Sequence, residues 1–368
     1  MGNINSLEDE KLLKSYYSRY GGFWEYPNLL DFCYLVNPYF CRSKIIDEMG
    51  GNFKTLLSEY PAGMNVNSKL ASECWNVKQE YIIPGNGAAE LIKVLMERLK
   101  GTVGVVRPTF EEYPNRLSQE RVITFVPQND EFRYDADDLI NYFVNEHQVD
   151  TLVLINPDNP SGNFISITGI LRLAEWTKQQ GMRFILDESF VDFSVGYKNN
   201  TCLDNKLLEN NPHMFVMKSI SKSYGVPGLR LGILCSSDVE EIVQMKKLVS
   251  IWNINSFAEF FMQIYPKYRD DYTRACDQFI KTRMDFEKEL KKIPFIKVMP
   301  SQANFFFLEI LPPYLPKQLC AMLLKKYNIL ASACLAKKGI EPNRYMRIAV
   351  RCHSDNEKII NAFKELVK

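Results

Sequence analysis

Histidine is scarce: three in 368 residues, at His147, His213 and His353. None has metal-ligand spacing, so no zinc site is expected. The nine cysteines include no CxxC pair. An odd, scattered set of this kind reads as reduced thiols in a cytoplasmic protein, not as a disulfide framework. Neither sign of charge prevails, because 45 Lys+Arg stand against 44 Asp+Glu for a net +1. That balance gives no electrostatic reason to expect nucleic acid or an anionic membrane as partner. No apolar run approaches the roughly 20 residues of a membrane span. The opening MGNINSLEDEKLLKSYY lacks the apolar stretch of a secretory signal, although Met1 to Ser6 fit the short Met-Gly-x-x-x-Ser acylation pattern. Repeats and low-complexity linkers are also missing.

What is present is globular: 46% hydrophobic and 24% charged residues, in a length suited to one large domain and a smaller one. The first 45 or so residues read as loop-rich, with Gly21-Gly22, Pro27 and Asn37-Pro38. From about residue 66 helical and strand patterns alternate. Residues 90–99 have helical periodicity. Thr102-Val-Gly-Val-Val106, Thr151-Leu-Val-Leu-Ile155, Arg183-Phe-Ile-Leu186, Met214-Phe-Val-Met217 and Leu231-Gly-Ile-Leu234 read as short buried strands, with a helix over 170–180. This order predicts an α/β fold: a three-layer large domain with a mostly parallel central sheet. A long helix over 256–291 is expected to bridge to a smaller α+β domain at 292–368. That domain carries strands at 305–308 and 346–350 and a closing helix over 356–367. The large domain is then 46–255, and 1–45 form an arm that packs with the small domain.

The chemistry gathers at the C-terminal ends of the predicted strands, where open α/β sheets bind ligands. Asn159 follows the strand 151–155, in Asn156-Pro-Asp-Asn-Pro-Ser-Gly162. Asp187 ends the strand 183–186. Lys222 follows the strand 214–217, within Ser219-Ile-Ser-Lys-Ser-Tyr-Gly-Val-Pro-Gly-Leu-Arg230. An amide, a carboxylate and an amine on one sheet edge suit pyridoxal 5'-phosphate (PLP). Its aldehyde needs a lysine, its ring nitrogen a carboxylate, and its phenolic oxygen a donor. Its phosphate suits Ser219, Ser221, Arg230 and the turn Gly85-Asn-Gly87-Ala88-Ala89, which opens a helix. Tyr113 could stack on the pyridine ring.

On these motifs the chain resembles the fold-type I, class I/II PLP enzymes, in the branch of histidinol-phosphate aminotransferases and threonine-phosphate decarboxylases. The resemblance runs over nearly the whole chain. It implies Lys222 as the lysine that holds the cofactor and Asp187 as partner of the ring nitrogen. Asn159 would then meet the phenolic oxygen, and Tyr113 the ring face. Gly87, Ala88, Ala89, Ser219, Ser221 and Arg230 would hold the phosphate. It further implies a homodimer with shared sites, Tyr60 reaching the neighbouring subunit's cofactor phosphate. Arg347 would bind the substrate's acidic group, and Asn37 would lie in a loop closing over substrate. Arg19 and Arg351 are further candidates for substrate anions.

Three departures bear on the reaction. Phe190 stands where family aminotransferases usually carry Tyr. Arg19-Tyr-Gly-Gly22 replaces a His-Gly-Gly of the decarboxylase branch. Leu330-Ala-Ser-Ala-Cys334 replaces an Ile-Arg-Asp-Cys-type stretch, so that one substrate contact of the relatives is either absent or supplied by Arg351 or Lys337. The resemblance therefore implies an aminotransferase of a small phosphorylated substrate first. A decarboxylase of phosphoserine or phosphothreonine type comes second, and a non-catalytic cofactor-binding relative third.

Overall fold

The computed structural model describes residues 6–40, 43–145, 148–335 and 337–367. Met1 to Asn5 of the acylation pattern, Cys41 and His147 lie outside them. A two-residue strand, Leu30–Asp31 (β1), comes first and pairs in parallel with Ile329–Leu330 (β11). The main sheet then takes seven strands: Ile82–Asn86 (β2), Val103–Val106 (β3), Val122–Phe125 (β4), Thr151–Ile155 (β5), Arg183–Asp187 (β6), Met214–Ser219 (β7) and Leu231–Cys235 (β8). Their spatial order is β2-β8-β7-β6-β5-β3-β4. All neighbours are parallel except β8, which runs antiparallel to both β2 and β7. Every residue of β5, β7 and β8 is buried, as expected of strands covered by helices on both faces. Pro84 is accommodated because β2 is an edge strand and its ring costs no interior ladder bond.

The second sheet is antiparallel, in the order β12-β10-β9, from Ile296–Val298 (β9), Phe305–Ile310 (β10) and Tyr345–Ala349 (β12). Helices Pro316–Tyr327 and His353–Val367 pack with it.

Two readings of the chain are corrected here. The stretch 256–291 is not one helix. It divides into Ser256–Ile264 and Arg269–Leu290 around a tight turn at Tyr265–Tyr268, where Pro266 removes a helical N–H. The first 45 residues are also less irregular than expected, because Ser6–Tyr17 is helical. That helix lies on the C-terminal unit: Asp9 pairs with Lys325 and Glu10 with Lys317, each at 2.5 Å, and the Tyr17 hydroxyl donates to Ala331 O at 2.6 Å.

Arg283, from helix Arg269–Leu290, is fully buried and joins the two sheets' surroundings. Its guanidinium donates to Phe193 O at 2.5 Å and to Ala303 O at 3.2 Å. Burial pulls its proton affinity down to about 10. No helix among the described residues is long and apolar enough to cross a membrane.

Candidate active site

Adjacent strands β5, β6 and β7 end side by side and deliver three functional groups to one cavity of ≈ 500 Å³. Asn159, Asp187, Ser219, Ser221, Lys222, Arg230 and Arg347 all line it. The loop after β5 is fixed by Asp158, whose carboxylate accepts from Asn159 N–H and from the Ser161 hydroxyl, each at 2.8 Å. Burial pushes Asp158 up to about 7.

Asp187 accepts from the Tyr113 hydroxyl at 2.8 Å and from Ser189 N–H at 2.9 Å. Burial raises its proton affinity against those bonds, and no cation stands at ion-pair distance among the described residues. A buried carboxylate without a counter-charge is suited to a ligand that brings a positive nitrogen. Tyr113 itself is buried behind Asp187 and is not on the cavity wall. Phe110, three residues earlier in the chain, lines the wall instead, and Tyr113 meets the carboxylate through its hydroxyl.

Lys222 sits in the short helix Ile220–Ser223 that caps β7. Burial, then the charges of Arg347 and Arg230, lower its amine to about 8 against the opposing pull of Asp187. Its Nζ lies 5.7 Å from the centre of the Phe190 ring. The Phe190 ring meets Phe305 edge-on at 5.3 Å, and Phe305 in turn lies 5.5 Å beneath the Arg347 guanidinium. Phe190, backed by the buried Phe305, thus forms an apolar floor between Lys222 and Arg347.

The anion cradle is built by two glycines. Gly87 has φ 75°, and a Cβ there would fall 2.4 Å from an Arg230 guanidinium nitrogen. A Cβ on Gly232 would fall 2.4 Å from Ala88 N. Only glycine at both positions lets the helix Ala88–Arg98 start beneath Arg230, with its first N–H groups open to an anion. Ala88 and Ala89 line the cavity. The Ser221 hydroxyl is buried without a partner among the described residues, and Ser219 is close by, its N–H held by the Ser189 hydroxyl at 2.8 Å. An orphaned hydroxyl, a guanidinium and a helix start together fit a phosphate.

Arg347 donates to Asn159 Oδ1 at 2.8 Å, and its Nε has no partner among the described residues. Arg19 and Arg351, expected beside it, are not on the cavity wall. Arg19 is tethered to Glu25 at 2.7 Å, and Arg351 to Asp355 at 3.0 Å and to Asp31 O at 2.9 Å. Asn37 is also behind the wall: its N–H donates to Lys222 O at 2.9 Å, and its buried Nδ2 is unpartnered. Tyr60 is outside this chain's cavity, exposed and against the Trp252 ring at 4.6 Å. Among the described residues no group of three or more His, Cys, Asp and Glu could hold a metal ion. Ser189, Tyr34, Cys33 and Phe110 line the cavity without having been singled out in the sequence.

The seven-stranded sheet, with its lysine, carboxylate and amide at adjacent strand ends, defines an α/β enzyme fold built around PLP. The profile described as "Aminotransferase class I and II" matches residues 64–366, and the chain belongs to that PLP-dependent family. It is 31% identical to the L-serine phosphate decarboxylase of Sulfurospirillum multivorans, over 92% of this chain and 88% of that one. It is 30% identical to the CMP-5'-(3-aminopropyl)phosphonate synthase of Streptomyces rubellomurinus, over 98% of this chain but only 56% of that protein's length. Among solved structures, a decarboxylase from Sulfurospirillum multivorans superimposes with a TM-score of 0.86 at 29% identity, over 99% of this chain and 98% of that one.

Proposed function

We propose that the protein is a PLP-dependent decarboxylase of a small phospho-amino acid of the phosphoserine type. The observation that carries this reading is the apolar floor of Phe190 and Phe305 between Lys222 and Arg347. It agrees with the decarboxylase names among the relatives, which favour this reaction over the aminotransferase ranked first from the sequence. When bound, the cofactor supplies an aldehyde for amine exchange and a ring that withdraws the electron pair released at the substrate's Cα.

The chain's own residues do the rest. Asp187, oriented by Tyr113 and Ser189 N–H, keeps a positive charge on the ring nitrogen. Ser219, Ser221, Arg230 and the amides of Ala88 and Ala89 hold the phosphate; Asn159 meets the phenolic oxygen. Lys222, with its amine lowered to about 8, has an appreciable neutral fraction near neutral pH and so can act as nucleophile and proton carrier. Arg347 grips the substrate carboxylate. The Phe190 ring offers no hydrogen bond on its side, so Arg347 sets the carboxylate's orientation for its departure as neutral CO₂. Tyr60 and the exposed Trp252 beside it belong to the surface through which two copies share their sites.

The test is product analysis. The holoenzyme is mixed with phosphoserine, and both CO₂ and the aminated form of the cofactor are followed. Catalytic CO₂ with phosphoethanolamine as the amine product supports the proposal. Stoichiometric amination, reversed by a keto acid and without CO₂, replaces it by transamination.

A further inference from the structure

Four cations line the cavity: Lys222, Arg230, Lys337 and Arg347. Asp187 is the one carboxylate among its described lining residues. The proposed function gives three of these cations a partner. Lys222 meets the cofactor aldehyde, Arg230 its phosphate and Arg347 a substrate carboxylate. Lys337 is left over, partly buried on the cavity wall. Its ammonium donates to Thr109 O at 2.5 Å and makes no ion pair within 4 Å among the described residues. An ammonium has three donors. Two of them therefore remain for the cavity. Burial and the Arg347 charge weaken its hold on the proton, against the smaller opposing pulls of Cys334, Glu111 and Asp158, and an anion placed beside it would strengthen that hold.

The lysine is held in place by its loop. Gly339 has φ 83°, and a Cβ on it would fall 2.8 Å from Arg107 Cβ and 3.0 Å from Arg107 C. The loop therefore lies directly on the Arg107-Pro-Thr109 turn, and Lys338 adds a bond to Gln119 at 3.0 Å. Arg347 acts on both Lys222 and Lys337, and all three line one cavity. With the carboxylate on Cα assigned to Arg347, Lys337 is the cation left for a group further along the side chain. A flat fork suits a carboxylate; a compact point charge suits a tetrahedral phosphoryl group.

Resting on the function proposed above, we propose that Lys337 is the specificity residue for the substrate's distal phosphoryl group, in the part of the cavity lined by Phe110, Cys334 and Lys337.

The test separates this claim from the reaction itself. Phosphoethanolamine carries the amine and the phosphoryl group but no carboxylate. Its binding to the loaded enzyme is measured by calorimetry for wild type, Lys337→Met and Lys337→Arg, with cofactor absorbance as the check on folding. Lys337→Met should weaken binding at least tenfold, and Lys337→Arg by threefold or less. The kcat/KM ratio of phosphoserine over serine should fall at least tenfold in Lys337→Met, mainly through KM. Unchanged phosphoethanolamine binding in a cofactor-loaded Lys337→Met would overturn the assignment. An equal loss for serine and phosphoserine would overturn it as well. If the wild type released no CO₂ from any phospho-amino acid, the function would fail. The phosphoethanolamine comparison would still decide the role of Lys337.

Discussion

Two lysines stand four residues apart in opposite surroundings, Lys218 buried and Lys222 partly buried on the cavity wall. Lys218, in β7, points to the side of the sheet where its ammonium lies 2.9 Å from Asp192 and 3.7 Å from Glu188. Those carboxylates are themselves satisfied. Asp192 accepts from the Ser223 hydroxyl at 2.7 Å, which accepts from Tyr272 at 2.9 Å, and Glu188 accepts from Thr201 and from Cys202 N–H. The two acids raise the proton affinity of Lys218 despite burial. Lys222 has no such partner, and its affinity falls to about 8. One lysine is fully paired and holds structure; the other faces a cavity whose neighbours Ser221 Oγ and Arg347 Nε are also unpaired. Unmet bonding capacity, not burial, separates the chemical side of this segment from the structural side.

The comparison can be broken most severely at Lys222. Lys222→Ala should lose decarboxylation by roughly four orders of magnitude or more, the scale of deleting a nucleophile, in a kcat measurement. Its folding stability should not fall, since no hydrogen bond is lost. Lys218→Met should do the reverse. It leaves two buried carboxylates unpaired, a loss of about 3–5 kcal/mol in chemical denaturation. The sign of the pH effect follows from the lowered amine of Lys222. Only the neutral amine attacks an aldehyde. The rate at which the apoprotein takes up PLP should therefore climb about tenfold per pH unit below 8 and level off above it. An amine at the ordinary 10.5 would keep climbing into alkaline pH. The smallest effect is expected at Phe190. Phe190→Tyr restores a hydroxyl to the apolar floor and should raise the share of turnovers ending in transamination by about tenfold or less, or some 1.4 kcal/mol, as read by product ratios.

Much of this was legible in the chain. Strands such as 151–155 and 214–217 are short unbroken apolar runs because helices cover both faces, and such runs read clearly. Asn159, Asp187 and Lys222 could be placed together because each follows a strand of the same sheet. Arg19 and Arg351 were misread for a local reason: Glu25 lies six residues on and Asp355 four, close enough to capture each guanidinium. Tyr113 and Phe110 are three residues apart in a turn, and only the path of the chain after β3 tells which ring meets the cavity. The break at Pro266 was visible in the sequence and outweighed by the apolar pattern around it. Lys337 was one of two residues named for a missing substrate contact, and only the cavity wall tells it from Arg351.

Borohydride reduction of the PLP-loaded protein, followed by peptide mapping, tests the contrast between the two lysines most directly, because it fixes the cofactor to the amine that holds it. The account predicts a single added mass on the peptide that contains Lys222, with Lys218 unmodified. Label on Lys218 or on any other lysine, or none at all in a protein that had bound the cofactor, would contradict it.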